Sequence, residues 1–214
     1  MIFKDRSESG KLLAEKVSGA EIVVALPRGG VVVGYEIASA LDLPLEVVCP
    51  RKIGAPGNPE YAIGAVTEGG AVHLERAAGY NKQDIEQIIS EELLEAQRRA
   101  TLYRAGRPRY SLKGKAVLIV DDGIATGSTM LAAIESVRQQ GAKSITVAVP
   151  VAPLEASSRL GVDLIALAQP EPFYAVGQFY RHFDQTTDEE VIALLARCSD
   201  GRNEDSKPGN GERL

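Results

Sequence analysis

Two adjacent carboxylates, Asp121 and Asp122, followed by Gly123-Ile124-Ala125-Thr126-Gly127-Ser128-Thr129, are the residues of this chain best suited to chemistry. Val117-Leu118-Ile119-Val120 leads into them and has the apolar character of a buried strand. The small residues and hydroxyls after the acids form a loop that opens an amphipathic helix. Backbone N–H groups of such a loop, with the unpaired N–H groups of a helix start, make a receptor for a phosphate. The acids cannot serve the same group, because like charges repel. They suit ribose hydroxyls or a divalent metal, and a sugar phosphate is the ligand that uses both halves at once. The simpler alternative is a pair of turn and capping carboxylates, which leaves the spacing to Thr126-Gly127-Ser128-Thr129 unexplained. No Lys follows Gly127 and no G-x-G-x-x-G occurs here, so neither a Walker-type nor a dinucleotide loop is present.

Three further segments carry candidate residues. In Leu26-Pro27-Arg28-Gly29-Gly30 the glycines let main chain approach an anion without a Cβ in the way, and Arg28 supplies a bidentate donor. Alone, this segment would be a tight turn between strand and helix. Arg51-Lys52 opens a stretch rich in Gly, Pro and Asn, where the alternative is a solvated charge pair on a loop. Residues 172–183 hold Phe173, Tyr174, Phe179, Tyr180 and Phe183 in a chain that is only 5% aromatic, so an aromatic platform or a small satellite core forms there. His73 and His182 are far apart and lack metal-ligand spacing. Cys49 and Cys198 are expected to be reduced, structural thiols.

Apolar runs of strand length alternate with helical patterns, the signature of βαβ units around a mostly parallel sheet. The expected elements are helix 7–18, strand 21–26, helix 31–41 and strand 45–50, then strand 115–121, helix 128–140, strand 144–150, strand 162–168 and helix 188–198. Gly141 stands where a helix stop needs a left-handed residue, and Thr187 with Glu190 reads as a capping box. A long helix from Lys82 to about Gly106, capped by Asn81, carries Ile85, Ile89, Leu93, Ala96, Ala100 and Tyr103 at three- and four-residue steps. Glu91, Glu95, Arg98 and Arg99 form its solvated side. Between the two units, residues 51–79 are expected to be a long loop with short strand-like pieces at 61–66 and 71–74. Residues 1–198 are expected to form one domain and the polar segment 199–214 a disordered tail.

A chain of 214 residues with 44% hydrophobic and 25% charged residues has an ordinary globular composition. The net charge of −5 argues against nucleic acid as a partner. No run of about 18 apolar residues and no long apolar N-terminal core occurs, so no membrane association is expected and the expected compartment is the cytoplasm.

The segment Val117–Thr129 resembles the phosphoribosyl pyrophosphate (PRPP) motif of the type I phosphoribosyltransferases, in which four apolar residues precede two acids and a small-residue loop. Leu26–Gly30 resembles that family's pyrophosphate loop, and Arg51-Lys52 resembles a pair just after the second strand in adenine and orotate enzymes. The resemblance implies a three-layer α/β/α fold with a mostly parallel central sheet, a mobile loop over the site and a C-terminal hood. It implies transfer of phosphoribosyl from PRPP to a nitrogenous base, with Mg²⁺ accompanying the diphosphate, and a homodimer. Under it, Asp121, Asp122, Arg28 and Lys52 are the catalytic candidates. Gly29, Gly30, Arg51, Gly123, Ile124, Ala125, Thr126, Gly127, Ser128 and Thr129 bind PRPP, Phe173 meets the base, and any protein contact to magnesium comes from Asp121 or Asp122. A non-proline cis peptide is expected at Pro27–Arg28 or Arg28–Gly29.

Two departures bear on the acceptor. Ala125 stands where 6-oxopurine enzymes of the family have an Asp. Tyr61-Ala62-Ile63-Gly64 ends in glycine where adenine enzymes have a catalytic Glu, leaving Glu60 or Glu68 as substitutes. The Pro-Arg-Gly-Gly and Arg-Lys-Ile-Gly-Ala-Pro-Gly-Asn-Pro-Glu segments together resemble a bacterial branch whose acceptor is not established. The alternative function is a non-catalytic PRPP or nucleotide-binding regulator of the same fold. A fragment related to PRPP synthetases is disfavoured, because those chains have two similar domains.

Overall fold

A computed structural model of the chain describes residues 2–107 and 109–203, with side chains as far as Cys198. In chain order the elements are α1 (Arg6–Ala14), β1 (Ile22–Ala25), α2 (Gly29–Ala40), β2 (Leu45–Val47), β3 (Arg51–Ala55), β4 (Asn58–Val66) and β5 (Val72–Leu74). They continue with α3 (Lys82–Arg104), β6 (Ala116–Val120), α4 (Ser128–Gln139), β7 (Ser144–Val151), α5 (Ala156–Leu160), β8 (Asp163–Ala168), a 3₁₀ turn (Val176–Phe179) and α6 (Asp188–Asn203). The fold is α/β, with a parallel central sheet in the order β2-β1-β6-β7-β8.

The alternation of side chains along its strands explains why both faces of the sheet are covered. Val23, Ala25, Val47, Leu118 and Val120 face one core with α1, α2 and α6, whereas Ile22, Val24, Val117 and Ile119 face a second core with α4 and α5. The β1–β6 register pairs Ala25 with Val120. The loops leaving these two strands, Pro27–Gly30 and Asp121–Gly127, therefore emerge side by side at the carboxyl edge, where open α/β sheets bind ligands.

In residues 51–79 the strand-like pieces expected at 61–66 and 71–74 are present as β4 and β5, but Arg51–Ala55, expected as loop, is also a strand. Together they form a three-stranded antiparallel sheet, β3-β4-β5, closed by the two-residue turn Pro56–Gly57, with Gly57 at φ 76°. Its inner half buries Ile53, Ala55, Ile63 and Val66 against Ile85 of α3. Small residues conceal the alternation in sequence: Gly54 has no room for a Cβ, which would stand 2.5 Å from the Pro59 carbonyl oxygen.

Several local signals appear as expected. Asn81 accepts from the Gln83 N–H at 2.8 Å, and the Thr187–Glu190 capping box closes with bonds of 2.7 and 3.2 Å. Gly141 is left-handed at φ 79°. In α3, Ile85, Ala96, Ala100 and Tyr103 are buried, with Ile89 and Leu93 partly so. Helix α1 stops at Ala14, short of the expected Ser18, because the chain turns back through Gly19 at φ 72°. Helix α6 runs to Asn203, beyond the expected Cys198, and residues 204–214 of the expected tail lie outside the described residues.

A buried ion network fastens the small sheet to the large one. Arg104, at the end of α3, contacts Glu46 of β2 at 3.1 Å and Glu68 at 3.2 Å; both carboxylates are only 5% exposed. Burial, reinforced by the adjacent Glu68 charge, holds the neighbouring Cys49 thiol in its neutral form.

Candidate active site

The Pro27–Arg28 peptide bond is cis, and α2 begins directly after it at Gly29. A Cβ on Gly29 would stand 2.0 Å from Asp122 Oδ2, and one on Gly30 would stand 2.9 Å from the Asp121 Cα and the Val120 carbonyl oxygen. The glycine pair is thus what allows this loop to lie against the acid pair. Asp121 Oδ1 accepts from the Asp122 N–H at 2.8 Å. Burial, with the Asp122 charge beside it, raises the Asp121 carboxyl well above the usual carboxylate range. Burial also raises Asp122, but Arg6 opposes that shift through its charge and a 2.7 Å hydrogen bond to Oδ2.

The loop after the acid pair runs into α4 without a side-chain cap. Gly127 stands at the N-cap of α4 with φ 83° and has no side chain to bond the helix N–H groups, as Ser or Asp would. Its carbonyl accepts from the Leu131 N–H, closing the first turn. Ala125 and Thr126 are exposed and line an open cleft of about 680 Å³ with Pro153–Glu155 and Pro170–Tyr174. This cleft joins the loop to the aromatic segment.

Some expected site residues are engaged elsewhere. Ile124 is a core residue, and its N–H donates to the Val151 carbonyl, so it is not free for an anion. Gly123 serves packing, since a Cβ there would stand 2.5 Å from Val176. Ser128 is buried and its hydroxyl donates to Glu75 at 3.3 Å, while Thr129 is half-buried. Arg51 pairs with Glu92 of α3 at 2.7 Å, and Lys52 pairs with Glu60 at 3.5 Å. Among the described residues, neither bonds the acid pair or residues 27–30. Arg28 lies 3.7 Å from Asp188 at the start of α6. Phe173 lines the cleft but packs on Phe179, ring centroids 5.2 Å apart, while Tyr174 is 82% exposed. Gln178 braces this segment, accepting from the Tyr174 and Ala175 N–H groups and donating to the Pro172 carbonyl.

Arg6, Glu75 and Arg159 were not singled out from sequence, and Tyr180 only as one member of the aromatic segment. Arg6 holds Asp122, and the Tyr180 hydroxyl donates to the Asp122 carbonyl at 2.7 Å. Glu75 receives Arg159 at 2.6 Å beside the start of α4. The lone signal available for any of them was a charged or aromatic residue type; the contacts are long-range, Arg6 and Asp122 being 116 residues apart.

Replacing Asp121 by Asn is expected to stabilise the ligand-free protein at pH 7. A carboxyl whose folded pKa is raised contributes stability that is present below its unfolded pKa and lost as pH rises through the folded one. The amide oxygen of Asn can still accept from the Asp122 N–H. A melting temperature about 2–4 °C higher at pH 7, the shift that about 1 kcal/mol gives in a domain of this size, and a smaller gain at pH 4 are the expected results. A lower melting temperature at pH 7 would contradict them.

A family model for the phosphoribosyl transferase domain matches residues 7–161. Two proteins of Mycobacterium tuberculosis, from strains CDC 1551 and H37Rv and provisionally named as phosphoribosyl transferases, are 42% identical to it over 92% of this chain. The chain spans about half of their length, 47%. Among solved structures, TT1426 from Thermus thermophilus shares 46% identity and a TM-score of 0.80, covering 92% of this chain and 99% of that one. Purine phosphoribosyltransferase from Pyrococcus horikoshii Ot3 shares the fold at 18% identity and a TM-score of 0.51, covering 87% and 96%. The family match contains the glycine loop, the acid pair and the loop that opens α4, the same three parts that the parallel sheet gathers at its carboxyl edge: the chain belongs to the phosphoribosyl transferase domain family.

Proposed function

We propose that the protein transfers the phosphoribosyl group of PRPP to a nitrogenous base and releases pyrophosphate. One observation carries this reading: Gly29 and Gly30 pack directly on Asp121 and Asp122, so an anion loop and a diol-binding acid pair share one edge. In this scheme N–H groups from Ala125 to Thr129, with the Thr126 and Thr129 hydroxyls, hold the 5′-phosphate. Asp121 and Asp122 take the ribose hydroxyls, and their negative charge favours the positive sugar of the transition state. Arg28 and Lys52 exchange their present carboxylate partners for the leaving diphosphate. The base enters the cleft between Thr126 and Phe173–Tyr174.

Magnesium fits as a companion of the substrate. Among the described residues no group of three or more His, Cys, Asp or Glu gathers to hold a metal, whereas the paired acids offer one carboxylate to a substrate-borne ion. An ion held there by Asp121 or Asp122 would neutralise charge on the leaving group.

The second reading, a PRPP or nucleotide binder without turnover, is favoured by Glu68, which is buried and committed to Arg104 and so is not presented as a base. Calorimetry with Mg–PRPP, followed by pyrophosphate release over a panel of bases, separates the two. Release with at least one base is expected, together with a tenfold to hundredfold weaker PRPP affinity in Asp122→Asn, on the order of one charge-assisted hydrogen bond. Binding without release on any base would establish the binder, and unchanged affinity in Asp122→Asn would remove the diol from this acid.

A further inference from the structure

Arg6 has an unusual place for a cation. It is the first residue of α1, where the helix dipole disfavours positive charge. Its side chain is nonetheless only 12% exposed. Three contacts hold it: Nε donates to Asp122 Oδ2 at 2.7 Å, Nη1 donates to the Asp184 carbonyl at 2.7 Å, and the guanidinium lies over the Phe183 ring at 3.9 Å. The first of these is on the floor of the site, and the other two are on the segment after the 3₁₀ turn.

That segment and the N-terminus form one body. Phe3 makes a parallel bridge with Tyr180, its N–H donates to the Phe179 carbonyl, and its carbonyl accepts from the Arg181 N–H. The His182 N–H donates to the Lys4 carbonyl. Tyr180 packs on both Phe3 and Phe183, with ring centroids 5.5 and 5.0 Å apart. The body meets the acid pair through the Tyr180 hydroxyl on the Asp122 carbonyl and through Arg6 on the Asp122 carboxylate. Arg6 lies just outside the family match, which begins at residue 7, and residues 180–184 lie beyond its end.

We infer that Arg6 is a positioning residue: it aims the Asp122 carboxylate and ties the aromatic segment 180–184 (the hood) to the floor of the site, so that hood order and ribose binding are linked. The ribose half rests on the transferase or PRPP-binding reading above; the tie between hood and floor does not. With Nε on Oδ2, the other carboxylate oxygen is left for a ligand hydroxyl, and the planar guanidinium fixes the carboxylate's rotation. Lysine can restore the charge at Asp122 but not the simultaneous bond to Asp184 and stacking on Phe183.

The test has two readouts. Hydrogen exchange of the ligand-free protein at residues 180–184 should rise about tenfold in both Arg6→Gln and Asp122→Asn, with no further rise in the double variant. Calorimetry with ribose 5-phosphate should show about tenfold weaker binding in Arg6→Gln and partial recovery in Arg6→Lys, a rescue that a purely structural role would not produce. Additive exchange effects, or hood exchange unmoved by either substitution, would overturn the tie. Equal affinities in wild type and Arg6→Gln would overturn the positioning role. A wild type that fails to bind ribose 5-phosphate would sink the ribose reading itself, and is recognised because the exchange coupling persists.

Discussion

Arg104→Ala is expected to lower the stability of the protein by about 3–5 kcal/mol, the cost of leaving a buried charge without its partner. Two carboxylates depend on this guanidinium. Glu46 also accepts from the Val47 and Tyr110 N–H groups, at 2.8 and 3.0 Å, and Glu68 accepts from the Cys49 N–H at 2.9 Å. These N–H bonds keep both acids where they are, so removal of Arg104 strands negative charge that cannot swing out to water. Arg109 stands 3.7 Å from Glu68 but is more exposed and compensates little. Urea denaturation at pH 7 should show a lower midpoint with an unchanged slope. A loss below 1 kcal/mol would mean the cluster is solvated. Adding Glu46→Gln and Glu68→Gln to Arg104→Met should recover much of the loss, because a neutral cluster of similar volume no longer buries unpaired charge.

Gly29→Ala is expected to weaken ligand binding about a hundredfold while sparing the fold. The added Cβ would sit 2.0 Å from Asp122 Oδ2 and 2.6 Å from Arg6 Nε, both side-chain ends that can yield. Gly29 is not in the left-handed region, so the substitution acts by contact and not by backbone strain. The carboxylate must rotate, its bond to Arg6 breaks, and a displacement of about 1 Å at a binding acid costs on the order of a hundredfold. Gly30→Ala provides the contrast. Its Cβ would meet the Asp121 Cα and the Val120 carbonyl at 2.9 Å, so backbone must move and stability should fall by about 1–3 kcal/mol. Calorimetry with Mg–PRPP and thermal melts of the two variants should separate these effects. Wild-type affinity in Gly29→Ala would show that the acid pair does not define the site.

The unequal legibility of this chain has a physical basis. Sequence alone identified the strand–acid–loop–helix unit at 117–129, the glycine loop at 26–30, the caps at Asn81 and Thr187, and the buried stripe of α3. Each depends on residues within about one turn or one strand of each other, where periodicity and capping chemistry act locally. Of the small sheet, the pieces at 61–66 and 71–74 were legible, but β3 and its pairing were not, because β3 meets Gly64, Ala62 and Ala65, small residues whose strand character comes from cross-strand packing. The side chains that finish the site were likewise decided only by tertiary structure. Arg6 meets Asp122 because α1 packs on α2 and the hood bridges Phe3, and Arg51 turns to Glu92 because β3 lies along α3. Residue type announces a charge; which opposite charge it finds is settled only when the sheet has stacked its elements in space.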